Sequence, residues 1–188
     1  MRSPMDSISA IRKAVHRFSR SRRGSTAVEF ALVAPLFLAL VFAILETALM
    51  FFAGQILEIG TQETARLIFT NQAQGVYSAT QFQQNLCGNN NMVSMLMTCA
   101  NVYVDVKDYP PGTTIVAADL APPINSSGNF VNNFTYQSSN PGDTVVVRAV
   151  NQWPLFVTGL GYNIANIGRG TSNSSFLLTA TAAFVVEP

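Results

Sequence analysis

The chain has 188 residues, 48% of them hydrophobic and only 11% charged, with a formal net charge of +1. A soluble domain carries roughly 25% charged residues, so the composition speaks against an ordinary cytoplasmic protein and for an exported one solvated by neutral Asn, Gln, Ser and Thr. The length suits one domain with residues to spare for an anchor.

The small net charge hides an asymmetry. Residues 1–23 hold seven of the eleven Lys and Arg (Arg2, Arg12, Lys13, Arg17, Arg20, Arg22 and Arg23) against a single acid, Asp6. The remainder holds four basic and nine acidic groups. Between them runs an apolar stretch: Phe30 to Leu45 has sixteen residues without a charge, and to Ala53 only Glu46 and Thr47 are notably polar. A bilayer crossing takes about 20 apolar residues, and Phe30–Ala53 has 24. The sign change across the run follows the positive-inside bias, placing residues 1–23 in the cytoplasm and the C-terminal part outside. Its position against a span makes the basic run a topology signal rather than a nucleic-acid patch. The run exceeds the 7–15 residues of a secretory signal core and lacks a small-x-small site at its end. The segment is therefore expected to stay as an anchor.

The processing signal sits on the cytoplasmic edge. Arg22-Arg23-Gly24 followed by Ser25-Thr26-Ala27-Val28-Glu29-Phe30 resembles the type IV prepilin cleavage motif: a basic leader ending in Gly, a glutamate at the fifth mature residue, then an apolar helix. The longer string GSTAVEFALVAPLFLALVFAILE resembles the TadE-like minor pilins, or pseudopilins, of Flp (tight adherence, Tad) pilus systems. Ala65-Arg66-Leu67-Ile68 with Gln72-Ala73-Gln74 agrees with this, as does Ala180-Thr181-Ala182-Ala183-Phe184 before Glu187-Pro188. Val185-Val186 departs from the polar or basic residue expected after Phe184. The resemblance implies that a prepilin peptidase removes residues 1–24 by cutting between Gly24 and Ser25. A glycine suits the cut because it lets a protease approach the backbone closely. It further implies a single-pass protein of a bacterial inner membrane, N-terminus cytoplasmic and C-terminal domain periplasmic. Its partners would be the prepilin peptidase, other Flp pilins and pseudopilins, and the inner-membrane pilus assembly platform, with no nucleic acid.

Glu29 has two readings. Thr26-x-x-Glu29 is a capping box for the membrane helix; alternatively Glu29 pairs with the new α-amino group of Ser25, on its own or a neighbouring subunit, because a carboxylate at the margin of an apolar run is costly unless paired. Ser25 and Glu29 fall on one helical face, about 6 Å apart along the axis. Glu29, Phe30 and Glu46 are the candidate subunit contacts, although Glu46 reads first as an anchor at the far interface. Pro35 is expected to loosen or kink the helix.

The chain thus divides into a leader (1–24), a transmembrane helix (25–53), a helix extension (54–75) and an extracytoplasmic α+β domain (76–188). Over the extension, Ile56, Leu57, Gly60, Thr64, Leu67 and Ile68 share one side of a helical wheel, with Gln55, Glu58, Gln62 and Arg66 opposite. Gly75 is the expected stop. Cys87 and Cys99 would be about 18 Å apart in one continuous helix, beyond the roughly 7 Å a disulfide tolerates. Gly88-Asn89-Asn90-Asn91 breaks the chain, so a turn followed by a helix over 92–98 predicts a Cys87–Cys99 disulfide.

Val102, Val104 and Val106 alternate with polar residues as in a strand, closed by Pro110-Pro111-Gly112. Residues 118–129 read as a polar loop. Phe130–Gln137 and Thr144–Gln152 read as a hairpin around Asn140-Pro141-Gly142-Asp143. Residues 158–175 read as a mobile loop and Phe176–Val186 as a last strand. The expected fold is α+β, a long helical spine against an antiparallel sheet of about four strands.

Catalysis finds no foothold. The single histidine, His16, lies in the leader, and no glycine-rich phosphate loop occurs. Two cysteines without a nearby histidine make a poor metal site. Asp105, Asp108, Asp119 and Asp143 lack calcium-loop spacing and read as solvated strand and turn residues. No cofactor, metal or enzymatic activity is expected. The expected function is that of a pseudopilin or minor pilin, processed at Gly24-Ser25, in assembly of a Flp-type pilus for surface adherence. The alternative is a membrane-tethered binding or adhesin module that is never polymerised.

Overall fold

In the computed structural model, residues 24–70, 78–88, 92–160, 162–171 and 173–187 are described. The basic leader, the expected stop at Gly75 and the Asn89–Asn91 break lie outside them. The chain separates into two compact units, the first ending at Ile44 and the second beginning at Leu45.

Helix α1, Ser25–Phe69, starts one residue after Gly24 and runs through Pro35 without ending. Its apolar part is long and hydrophobic enough to cross a membrane. Up to Ile44 its side chains face outward: Phe30 is 73% exposed and Leu36 75%. An apolar helix this exposed suits lipid or other helices as solvent.

In the second unit α1 becomes one wall of a core. Met50, Ala53, Ile56, Leu57, Ala65 and Ile68 are buried in one cluster with Val102, Val104, Val106, Val145, Val147, Ala149, Leu178 and Ala180. The wheel reading holds except at Glu58 and Leu67, both half-buried: Gln55, Gln62 and Arg66 are exposed and Ile56, Leu57, Gly60, Thr64 and Ile68 buried. Thr61 and Thr64, buried beside them, donate their hydroxyls to the carbonyls of Leu57 and Gly60, at 2.7 and 2.9 Å. Polar side chains are thereby satisfied within the helix.

Helix α2, Ala79–Leu86, is opened by a capping box in which the Ser78 Oγ accepts from the Gln81 N–H and the Gln81 side chain accepts from the Ser78 N–H. It buries Phe82 and Leu86. The short α3, Met92–Leu96, follows and buries Val93. Gly60 is where α1 meets both. A methyl group there would lie 2.8 Å from Val93 Cγ2 and 3.0 Å from Leu86 Cδ1. Gly60→Ala is therefore expected to destabilise by about 1–2 kcal/mol, overpacking outweighing the gain in helix propensity. Chemical denaturation of the detergent-solubilised chain reads it; a more stable variant would show that the contact relaxes freely.

The sheet has three strands in the order β1-β2-β3: β1 Val102–Tyr109, β2 Thr144–Pro154 and β3 Ser175–Val185, both pairs antiparallel. The α+β expectation holds with one strand fewer. Phe130–Gln137 does not pair with β2, because both edges of β2 are taken. It crosses instead to the outer edge of β1, where Val106 N–H donates to Thr135 O (2.8 Å) and Gln137 N–H to Val106 O (3.0 Å), a single parallel bridge. The Asn140–Asp143 turn forms as read, with Gly142 at φ +89°, the sign that the residue after Pro141 requires in a type II turn. It feeds a loop into β2 rather than closing a hairpin.

One sheet face meets α1. The other is covered by the 112–140 segment, with Ile124, Phe130 and Phe134 against Val150, Ile167 and Leu177. The stretch 158–175, read as a mobile loop, is tied down where it is described: Asn166 Oδ1 accepts from the Leu177 N–H at 2.7 Å, and Ile167 bridges Ser175.

Candidate functional site: the start of helix α1 and the clasp at Glu46

Gly24 stands immediately before α1 and Ser25 is the first helical residue. Among the described residues, a Cβ added at Gly24 would meet nothing within 4 Å, and its φ is not in the left-handed range. Glu29 and Phe30 lie exposed on the first turns of the helix.

Glu46 belongs to the second unit and is turned inward, at 6% exposure. Its carboxylate accepts backbone N–H groups from the segment after β2. Phe156 N–H donates to Oε1, and Val157 N–H lies 3.2 Å from both oxygens. One residue on, the Thr47 hydroxyl hydrogen-bonds the Tyr162 hydroxyl at 2.9 Å. The apolar helix is thus clasped by residues more than a hundred positions away, and its buried acid is matched by backbone donors. Sequence reasoning placed Glu46 at an interface without finding these partners. No local signal names them, since the N–H donors belong to no motif.

Cys87 and Cys99 are brought together but not joined: both are free thiols, contrary to the expected disulfide. Gln83 of α2 donates to Cys99 O and Val102 O at 2.6 and 2.7 Å, drawing the Cys99 segment against the end of α2. The Cys99 thiol donates to the Cys87 carbonyl, 3.4 Å away. Burial, with the Cys99 thiol beside it, pushes the Cys87 thiol up to about 12, which leaves little thiolate to attack a disulfide or hold a metal. Both cysteines line an open cleft of about 430 Å³ with Thr80, Gln83, Gln84, Gly88 and Ala100.

Of the four aspartates of the sheet region, expected to be solvated, Asp105 and Asp143 are buried, Asp108 is half-buried and Asp119 is the open one, its side chain 39% exposed. Asp105 is 1% exposed and pairs with Arg148, Oδ2 to Nη2 2.6 Å. Asp119 meets Lys107 at 3.1 Å and the Tyr109 hydroxyl at 3.2 Å, and Lys107 holds its carboxyl below the usual range. Asp143, also buried, accepts from Asn140 N–H at 2.8 Å. Asp108 Oδ1 is buried without a hydrogen-bond partner. Burial, then the neighbouring Asp143 carboxylate, raise the Asp108 carboxyl above 3.8. Among the described residues no group of three or more His, Cys, Asp or Glu could hold a metal ion.

Asp108 gives a pH prediction. Between 3.8 and its raised folded value, the folded chain keeps a proton that the unfolded chain has released. Stability from this group therefore rises as pH falls through that window. Asp108→Asn is expected to stabilise at neutral pH, by less than about 1 kcal/mol because the group is partly solvated, and to remove that part of the slope. Unfolding midpoints at several pH values check it, and a variant less stable at neutral pH contradicts it.

No curated protein and no solved structure matches the chain. Residues 24–66 match the family model described as TadE-like protein. That match opens on Gly24, takes in Ser25, Glu29, Phe30 and Glu46, and makes the chain similar to TadE-like proteins through helix α1, stopping short of the sheet.

Proposed function

We propose that the chain is a membrane-anchored, pilin-like subunit of a Tad-type pilus system, cut between Gly24 and Ser25 and used in assembly of the pilus rather than in catalysis. The observation that carries this reading is the coincidence at one place of three features. The TadE-like match begins at Gly24, no described residue crowds the space beside that glycine, and an exposed apolar helix starts at the next residue. Cutting there removes a net six positive charges and frees an α-amino group one helical turn from Glu29. Partners are the prepilin peptidase, other pilins and pseudopilins meeting the exposed face around Glu29 and Phe30, and an inner-membrane assembly platform. The leader faces the cytoplasm and the sheet domain the periplasm.

Protein purified from its own cells is expected to begin at Ser25. Gly24→Arg is expected to retain Met1, to run heavier by the 24-residue leader, and to be lost from isolated pilus-assembly complexes. N-terminal sequencing and intact mass decide this. A functional chain that keeps Met1 would favour a plain membrane tether for a binding module.

A further inference from the structure

The segment clasped at Glu46 has an unusual surface. Phe156, whose N–H is held by the Glu46 carboxylate, projects its own side chain outward at 81% exposure, the highest of the large hydrophobic residues described. From Ala149 to Gly168, twenty consecutive residues carry no Asp, Glu, Lys, Arg or His, and they include Trp153, Phe156 and Tyr162.

Helix α1 serves as a depth gauge for this segment. At the level of the clasp the helix exposes Leu45, Leu49, Phe51 and Phe52 at 52–66%. The first exposed polar side chain after Glu46 is Gln55, nine residues further on and about 13 Å along the axis. The headgroup zone on one side of a bilayer is only some 5–8 Å deep. Phe156 is therefore tethered on the membrane side of the point where α1 turns to water. Trp and Tyr suit the interfacial belt, an exposed Phe supplies apolar surface to insert there, and a carboxylate at that depth needs the backbone donors that Glu46 has.

We propose that Leu155–Thr158, with Tyr162, form an interfacial foot, with Phe156 inserted among the headgroups and outer acyl carbons of the bilayer, setting the depth of α1 and seating the exported domain on the membrane surface. The bilayer is the favoured occupant because every side of α1 at this level that does not face the clasp or the core is apolar and exposed, where a single partner helix would need only one stripe. Insertion rests on apolar burial and is indifferent to lipid charge. The inference depends on α1 spanning the membrane, so its test must separate the two.

Two variants of the full chain are reconstituted in phosphatidylcholine vesicles containing lipids brominated on the upper acyl carbons. Trp153→Phe with Phe156→Trp reports the foot, and Trp153→Phe with Phe37→Trp reports the span. Both emissions are expected to fall at least twofold with bromolipid and to resist aqueous iodide, and adding anionic lipid should leave the Phe156→Trp signal unchanged. Quenching of the Phe37→Trp signal alone, with position 156 open to iodide, overturns the foot while the span stands. A position 156 shielded from iodide only at high protein density, without bromolipid quenching, overturns it in favour of protein contact. Absence of quenching in both variants removes the span and the foot together.

Discussion

Arg148→Met is expected to destabilise the second unit by about 3–5 kcal/mol, the range for stripping one partner from a buried ion pair. Asp105 and Arg148 stand opposite each other in the β1–β2 register, with side chains only 2% and 8% exposed. The guanidinium donates Nε and Nη2 to Asp105 Oδ2 at 3.2 and 2.6 Å and Nη1 to Ala121 O at 3.1 Å, while its Cζ lies 5.8 Å from the Phe134 ring centroid. Asp105 Oδ1 accepts from the Thr135 N–H at 3.1 Å. The pair therefore fastens the covering loop at two points. Replacing both members, Asp105→Leu with Arg148→Met, is expected to cost less than the single change, since no unpaired charge remains, yet to leave Thr135 N–H and Ala121 O without partners. Denaturant unfolding gives the energies, and faster amide exchange at Val106 and Gln137, whose N–H groups bond across to and from the 135–137 segment, reports the loosened loop. A single variant as stable as the parent would show the pair to be dispensable.

Glu46→Ala is expected to cost about 3 kcal/mol. It leaves two backbone N–H groups, of Phe156 and Val157, without their charged acceptor, and hydrogen bonds to charged groups contribute roughly 1.5–3 kcal/mol each. Glu46→Gln keeps one oxygen acceptor and should lose about half as much. Because the clasp joins β2's exit to α1, limited proteolysis of the Glu46→Ala chain in detergent should open first between Leu155 and Tyr162. Unchanged cleavage there would mean that the Thr47–Tyr162 hydroxyl bond and the burial of Val157 hold the segment alone.

Much of the fold was legible because its signals lie within single short windows. The apolar run of α1 and its continuation with a buried stripe at Ile56, Leu57, Gly60, Thr64 and Ile68 are patterns of period 3.6. Val102, Val104 and Val106 in β1 are a pattern of period 2. The Pro141-Gly142 turn carries its own backbone preference. Helix α2 went unread although Ser78-x-x-Gln81 marks its start, because eight residues with only Phe82 and Leu86 apolar on the core side give a weak period. The fate of 130–137 was misread for a different reason. A strand-like segment and a turn predict a hairpin locally, but β2 pairs with β1 and β3, leaving only the outer edge of β1. The candidate site divides in the same way. Gly24, Ser25, Glu29 and Phe30 lie within one short motif, whereas the partners of Glu46 come from more than a hundred residues away.

By itself, then, the sequence determined the anchor-length helix, the cleavage-like motif at its head and the strand periodicities, since each depends on neighbours a few residues apart. Only the tertiary structure decided that Glu46 holds Phe156 and Val157, that Asp105 holds Arg148 43 residues away, and that β2 sits at the centre of the sheet. Burial made those choices: once α1 and the strands enclose a core, a polar group inside it must take the nearest available partner, whatever its distance along the chain.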